Sequence, residues 1–197
     1  MNEIKAYSEI FQISRTDSES GLVVSSRKER DRFVHAIALL KTANSEETDL
    51  LQSLEGTDSE LWPSSPPLQQ VYQQEVDGDP VLLGVGMAGK NHFSTSARLF
   101  ETDRYVELEI ESACLIKQDC PERFLGSTYT VADNIAVSTQ QDVAELFNPD
   151  RKKLGELVAG NSTRIHVDAG RIVTFFPLEI QSHQATQWKY HLRLERE

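Results

Sequence analysis

Along the 197-residue chain the spacing of apolar positions changes character near Leu68. Before that point it reads as helical. Ser26 and Glu29 have the spacing of a capping box, in which a hydroxyl and a carboxylate satisfy free backbone N–H groups at a helix start. Phe33, Val34, Ile37 and Leu40, with Ala36 and Ala38, then form one apolar stripe, so a helix is predicted over 26–41. A second helix is predicted from Ser45 through Leu50, Leu51 and Leu54 to a stop at Gly56. Residues 1–24 are weakly patterned and read as irregular or short strands. Residues 57–67 carry three prolines and several serines and read as a linker.

From Leu68 onward the period is two. Residues 68–76 read as a strand, and "DGDP" after it is a turn signature. Residues 92–100 alternate Phe93, Thr95, Ala97 and Leu99 against His92, Ser94, Ser96 and Arg98. Residues 105–113 alternate Val106, Leu108 and Ile110 against Glu107, Glu109 and Glu111. A two-residue turn at Thr102-Asp103 joins these runs, placing Arg98 opposite Glu107, Ser96 opposite Glu109 and Ser94 opposite Glu111.

Residues 126–137 read as a strand with a bend at Asp133-Asn134, and 139–147 as a short helix capped by Thr139 and stopped at Asn148-Pro149. Residues 150–161 read as loop or a frayed turn. "DAG" at 168–170 signals a hairpin between two further strands. The last run places Trp188, Tyr190, Leu192 and Leu194 on one face and Lys189, His191 and Arg193 on the other. The fold class expected is α+β in a single domain, 1–197. A predominantly antiparallel sheet over 68–197, open, sandwich-like or partly closed into a barrel, carries one or two helices from a 26–56 N-terminal segment.

Composition narrows the function. Apolar residues make up 39% of the chain and charged residues 26%, a globular balance. Thirty-one acids against twenty Lys and Arg give a net charge of −11, which repels phosphate backbones and argues against nucleic acid or an anionic membrane surface as partner. The N-terminus lacks the pattern of a signal peptide, and no apolar run is long enough to span a bilayer. Cys114 and Cys120 have no zinc-ribbon or thioredoxin spacing and read as two thiols of a reducing, cytoplasmic compartment.

The loudest motif is "GVGMAGK" at 84–90, whose G-x-G-x-x-G spacing suggests a dinucleotide or phosphate loop. Such a loop needs a helix after the glycines, and here a period-two run follows. The glycines therefore read as a bend or a place where another backbone comes close. His166-Val167-Asp168 offers two metal-ligand types on one side of a strand, but Asp168 reads better as the start of the "DAG" turn.

The best candidate for chemistry is a polar sheet face of His92, Ser94, Ser96, Arg98, Glu107, Glu109 and Glu111. Three acids with an arginine could hold a metal or a phosphorylated ligand. Yet no nucleophile elbow or oxyanion hole accompanies them, and the bland reading is a solvated strand face, partly neutralised by Arg98. No cofactor and no metal site are expected. The reading that follows is a non-catalytic binding or protein-interaction module with a protein partner or self-association. Alternatives are a small metal-assisted hydrolase or phosphohydrolase using the glutamate row, and an acidic inhibitor or immunity-type protein that binds a basic partner.

Overall fold

The computed structural model describes residues 10–16, 20–41, 45–57, 59–118, 125–180 and 183–196. Among these there is no helix; the chain is all-β, and the expected α+β class is overturned. Four strands come first: β1 (Ile10–Thr16), β2 (Ser20–Glu29), β3 (Arg32–Lys41) and β4 (Glu46–Ser53). Four more follow: β5 (Gln70–Val76), β6 (Asp79–Ala88), β7 (Asn91–Glu101) and β8 (Tyr105–Leu115). The rest are β9 (Ser127–Val131), β10 (Ala136–Gln140), β11 (Val143–Phe147), β12 (Lys153–Ala159), β13 (Thr163–Asp168), β14 (Ile172–Pro177) and β15 (Ala185–Glu195). They form a seven-stranded sheet ordered β1-β2-β3-β4-β9-β14-β13 and an eight-stranded sheet ordered β10-β11-β12-β15-β8-β7-β6-β5. All pairings are antiparallel.

The predicted helix over 26–41 is the β2–β3 hairpin. Ser26 and Glu29 are not a capping box: Ser26 sits within β2, opposite His35. The helical reading failed because these strands do not alternate cleanly. Leu22, Val23 and Val24 are buried in succession, as are Ile37, Ala38 and Leu39, and a register shift against β4 falls between Ile37 and Ala38. A strand buried on both faces gives a continuous apolar run, which periodicity cannot separate from a helix. The predicted helix over 45–56 is β4, and that over 139–147 is the β10–β11 hairpin, turned at Gln141 with φ 54°. The expected single strand over 126–137 is two strands in different sheets, and the expected loop 150–161 contains β12.

Residues 57–67 cross from one sheet to the other, and the described part is packed in place. Ser65 is fully buried, donates to the Thr128 carbonyl (3.0 Å) and accepts from the Thr128 N–H (3.1 Å). Just beyond, Phe33 N donates to the Leu68 carbonyl (2.7 Å) and Gln69 N to the Val85 carbonyl (2.9 Å), so the crossing is stitched to both sheets. This explains the glycine motif. A β-carbon at Gly86 would collide with the Pro67 carbonyl oxygen, and one at Gly84 would lie 2.6 Å from Leu68 Cδ1. Gly89, at φ 58°, makes the β6–β7 turn. The glycines admit a backbone and hold no phosphate loop.

The core lies between the sheets and draws on both, with Trp188, Tyr129, Phe33 and Phe175 its largest sealed side chains. A hydrogen-bonded spine crosses it. Trp188 Nε1 donates to Ser127 Oγ (2.9 Å), the Tyr190 and Tyr129 hydroxyls are 2.5 Å apart, and Tyr129 Oη is 2.7 Å from His35 Nε2. The Phe175 ring stacks on Tyr190 at 3.9 Å, and Tyr129 stands edge-on to His35, Phe175 and Tyr190. Offset and edge-to-face contacts of this kind contribute about 0.5–1.5 kcal/mol each beyond the area they bury. Among the described residues no helix is long and apolar enough to cross a membrane.

Candidate functional site

The strands deliver the seven predicted site residues to one surface, the outer face of the eight-stranded sheet, but pair them differently from the sequence expectation. Glu101 is opposite Val106, and the β7–β8 loop is longer than two residues: Thr102 N donates to the Tyr105 carbonyl (2.9 Å), and Thr102 Oγ1 accepts from Tyr105 N (3.0 Å). Arg98 therefore faces Glu109, Ser96 faces Glu111 and Ser94 faces Ala113. The register differs by two residues, an even number, so every side chain keeps its expected face while every partner changes.

Arg98 does not neutralise the acids. Its guanidinium binds Asp79 on β6, at 2.6 and 3.0 Å. The neutralising charges come from β15, the strand on the other side of β8. Lys189 lies opposite Glu111, His191 opposite Glu109 and Arg193 opposite Glu107. Lys189 Nζ reaches Glu111 (3.0 Å) and Glu109 (3.3 Å). Glu107 sits between His191 Nδ1 (2.6 Å) and Arg193 Nε (3.2 Å) and is only 5% exposed. Burial pushes its carboxyl up, yet His191 and Arg193 outweigh that and hold it below its ordinary value.

The carboxylate row is thus one half of a two-strand polar ladder, and each of its carboxylates has a partner on β15. His92 is apart from it: its Nε2 lies 3.0 Å from Lys117 Nζ, at the rim of a shallow groove shared with Ser94, Val85, Met87 and Leu115. His92 and the glutamates therefore form no joint constellation. The missed partner was visible in the sequence as the spacing Lys189, His191, Arg193, the complement of Glu107, Glu109, Glu111.

His166 and Asp168 are both exposed on β13, and the Asp168 carbonyl accepts from Arg171 N (2.9 Å) in the β13–β14 turn. Among the described residues no three His, Cys, Asp or Glu side chains gather as metal ligands would. Cys114 is buried in β8, and Cys120 lies outside the described residues.

A larger concavity lies elsewhere, at one end of the sandwich. It has a volume of about 1290 Å³ and lies where β3 ends, β4 and β8 begin and β15 ends, beside the loop before β12. Leu39, Ile135, Pro149, Leu154 and Leu194 supply apolar wall. Among its described lining residues five are cations (Lys41, Lys152, Lys153, Arg193, Arg196) and three are acids (Glu46, Glu156, Glu195), against twenty and thirty-one in the whole chain. Ion pairs hold four of the cations in place: Lys41 lies 3.9 Å from Glu46, Lys153 binds Glu145 and Glu156 at 3.0 and 3.1 Å, Arg193 binds Glu107 at 3.2 Å, and Arg196 lies 3.6 Å from Glu101. No sequence motif marked this cleft, because its lining comes from strand ends and loops far apart in the chain. No protein-family model matches the chain, and no curated protein matches it.

Proposed function

We propose that this protein is a non-catalytic binding module whose ligand, a small amphipathic anion, enters the cleft at the open end of the sandwich. The observation that carries the reading is the inversion of charge there: the described lining has more cations than acids in a chain of net charge −11. A cleft in which cations outnumber acids, set in an acidic chain, favours anions, and the apolar side chains among its lining give an amphipathic ligand a surface to cover. The hydrolase alternative is not carried forward, because the glutamates it needs are engaged by Lys189, His191 and Arg193 on an outer face and take no part in the cleft.

The test is calorimetric titration of the intact chain with an arylsulfonate or a medium-chain carboxylate, beside a neutral analogue of equal size. Binding of the anion should be stronger than that of the neutral compound. It should weaken by about tenfold in a Lys41→Glu, Lys152→Glu double variant, equivalent to about 1.4 kcal/mol. Equal affinity for charged and neutral probes, or indifference to the double reversal, would sink the proposal.

A further inference from the structure

Among the unanswered polar atoms of the interior, two are neighbours. Ser26 on β2 and His35 on β3 are direct cross-strand partners, 2% and 8% exposed. Among the described residues neither Ser26 Oγ nor His35 Nδ1 has a hydrogen-bond partner. Both line a small cavity between the sheets, with a free volume of about 20 Å³ and walls that include Val71, Leu82, Ala97 and Ile110. An unsatisfied buried polar group costs about 1–3 kcal/mol, so two side by side call for a partner. A cavity needs about 10–15 Å³ of such volume to hold one water, and this one holds no more.

The spine bears on which way the hydrogens run. Trp188 Nε1 can only donate, so Ser127 Oγ accepts from it and keeps its own hydrogen for another acceptor. The Tyr190 hydroxyl meets that of Tyr129, and Tyr129 Oη meets His35 Nε2. In the arrangement in which Tyr190 donates to Tyr129 and Tyr129 to His35, Nε2 is the acceptor at the end. Burial holds the imidazole neutral, so its one hydrogen sits on Nδ1, the atom that lines the cavity.

We propose that this cavity is a binding site for a single buried water, which accepts from His35 Nδ1–H and shares a hydrogen bond with Ser26 Oγ. The water extends the Tyr190–Tyr129–His35 spine to Ser26, tying β15 of one sheet to β9, β3 and β2 of the other. It is independent of the ligand at the end cleft.

A high-resolution crystal structure of the whole chain tests it directly, with one ordered water expected at about 2.7–3.2 Å from both atoms. In solution, oxygen-17 relaxation dispersion should count one long-lived internal water fewer in Ser26→Val. Imidazole nitrogen NMR of the unmodified protein, which needs no variant to fold, should show the Nδ1–H tautomer at His35. A dry cavity, a direct Ser26–His35 hydrogen bond, or an Nε2–H tautomer overturns the assignment.

Discussion

Two buried ionisable groups, Glu55 and His35, should leave the protein's stability nearly flat across mildly acidic pH, and removing either should expose a slope of opposite sign. Glu55 follows β4; Ser53 Oγ donates to its Oε1 (2.7 Å), while Oε2 is sealed from solvent with no hydrogen-bond partner among the described residues. Burial pushes its carboxyl up to about 7 from an ordinary 4.5, with the Ser53 hydrogen bond and Arg32 opposing. Between those values the folded chain holds a proton that the unfolded chain has released. Glu55 therefore favours the folded state at low pH, and that advantage is lost as pH rises through about 7.

His35 works in reverse. Burial lowers it from 6.5 to about 4, so below 6.5 the unfolded chain takes up a proton that the folded one refuses, and stability falls with pH. From about pH 5.5 to 6.5 each group alone gives a slope of about 1 kcal/mol per pH unit, just under the limit of about 1.4 for one whole proton. The two slopes oppose each other.

The assay is urea unfolding at several pH values in that interval, above the isoelectric point of about 4.9, on the unmodified chain, Glu55→Gln and His35→Gln. Glu55→Gln should lose about 1 kcal/mol relative to the unmodified chain as pH drops from about 6.5 to 5.5, and His35→Gln should gain as much. Differences between variant and parent cancel the other titrating groups. If both variants track the parent within about 0.5 kcal/mol, neither group is held out of water as described.

Two further outcomes test the packing and the ion-pair ladder. Gly86→Ala should destabilise by about 1–3 kcal/mol or more in chemical denaturation, because the Pro67 backbone must move, whereas Gly84→Ala should be milder since it presses only on the Leu68 side chain. Glu107→Gln should cost about 1–3 kcal/mol by removing the charge between His191 and Arg193, while Glu111→Gln, whose side chain is 40% exposed, should stay within about 0.5 kcal/mol of the parent.

How much of this was legible in the sequence depended on how the chain turns. The β5–β6, β6–β7 and β13–β14 hairpins carry glycines at positive φ (Gly78, Gly89, Gly170), and their strands were read as strands. The β2–β3 and β10–β11 turns use Arg30 and Gln141 at positive φ. These side chains signal no turn, so the segments merged into apparent helices. The outer polar face was legible because alternation fixes sidedness even when register is wrong by two. Its chemistry was not, because β8 and β15 lie some eighty residues apart and alternation does not say which strands are neighbours. The end cleft and the His35 spine belong to tertiary packing and leave no periodic trace.

The central place of β15 has a consequence for the chain as it is made. β8 is completed long before β15 emerges, so a growing chain offers the second edge of β8 to any strand that meets it. Glu107, Glu109 and Glu111 stand along that strand, and an antiparallel pairing of two copies of β8 would set like charges against each other. The strand that belongs there brings Lys189, His191 and Arg193 at matching intervals. The acids of β8 thus disfavour pairing with copies of themselves and match a later strand of their own chain.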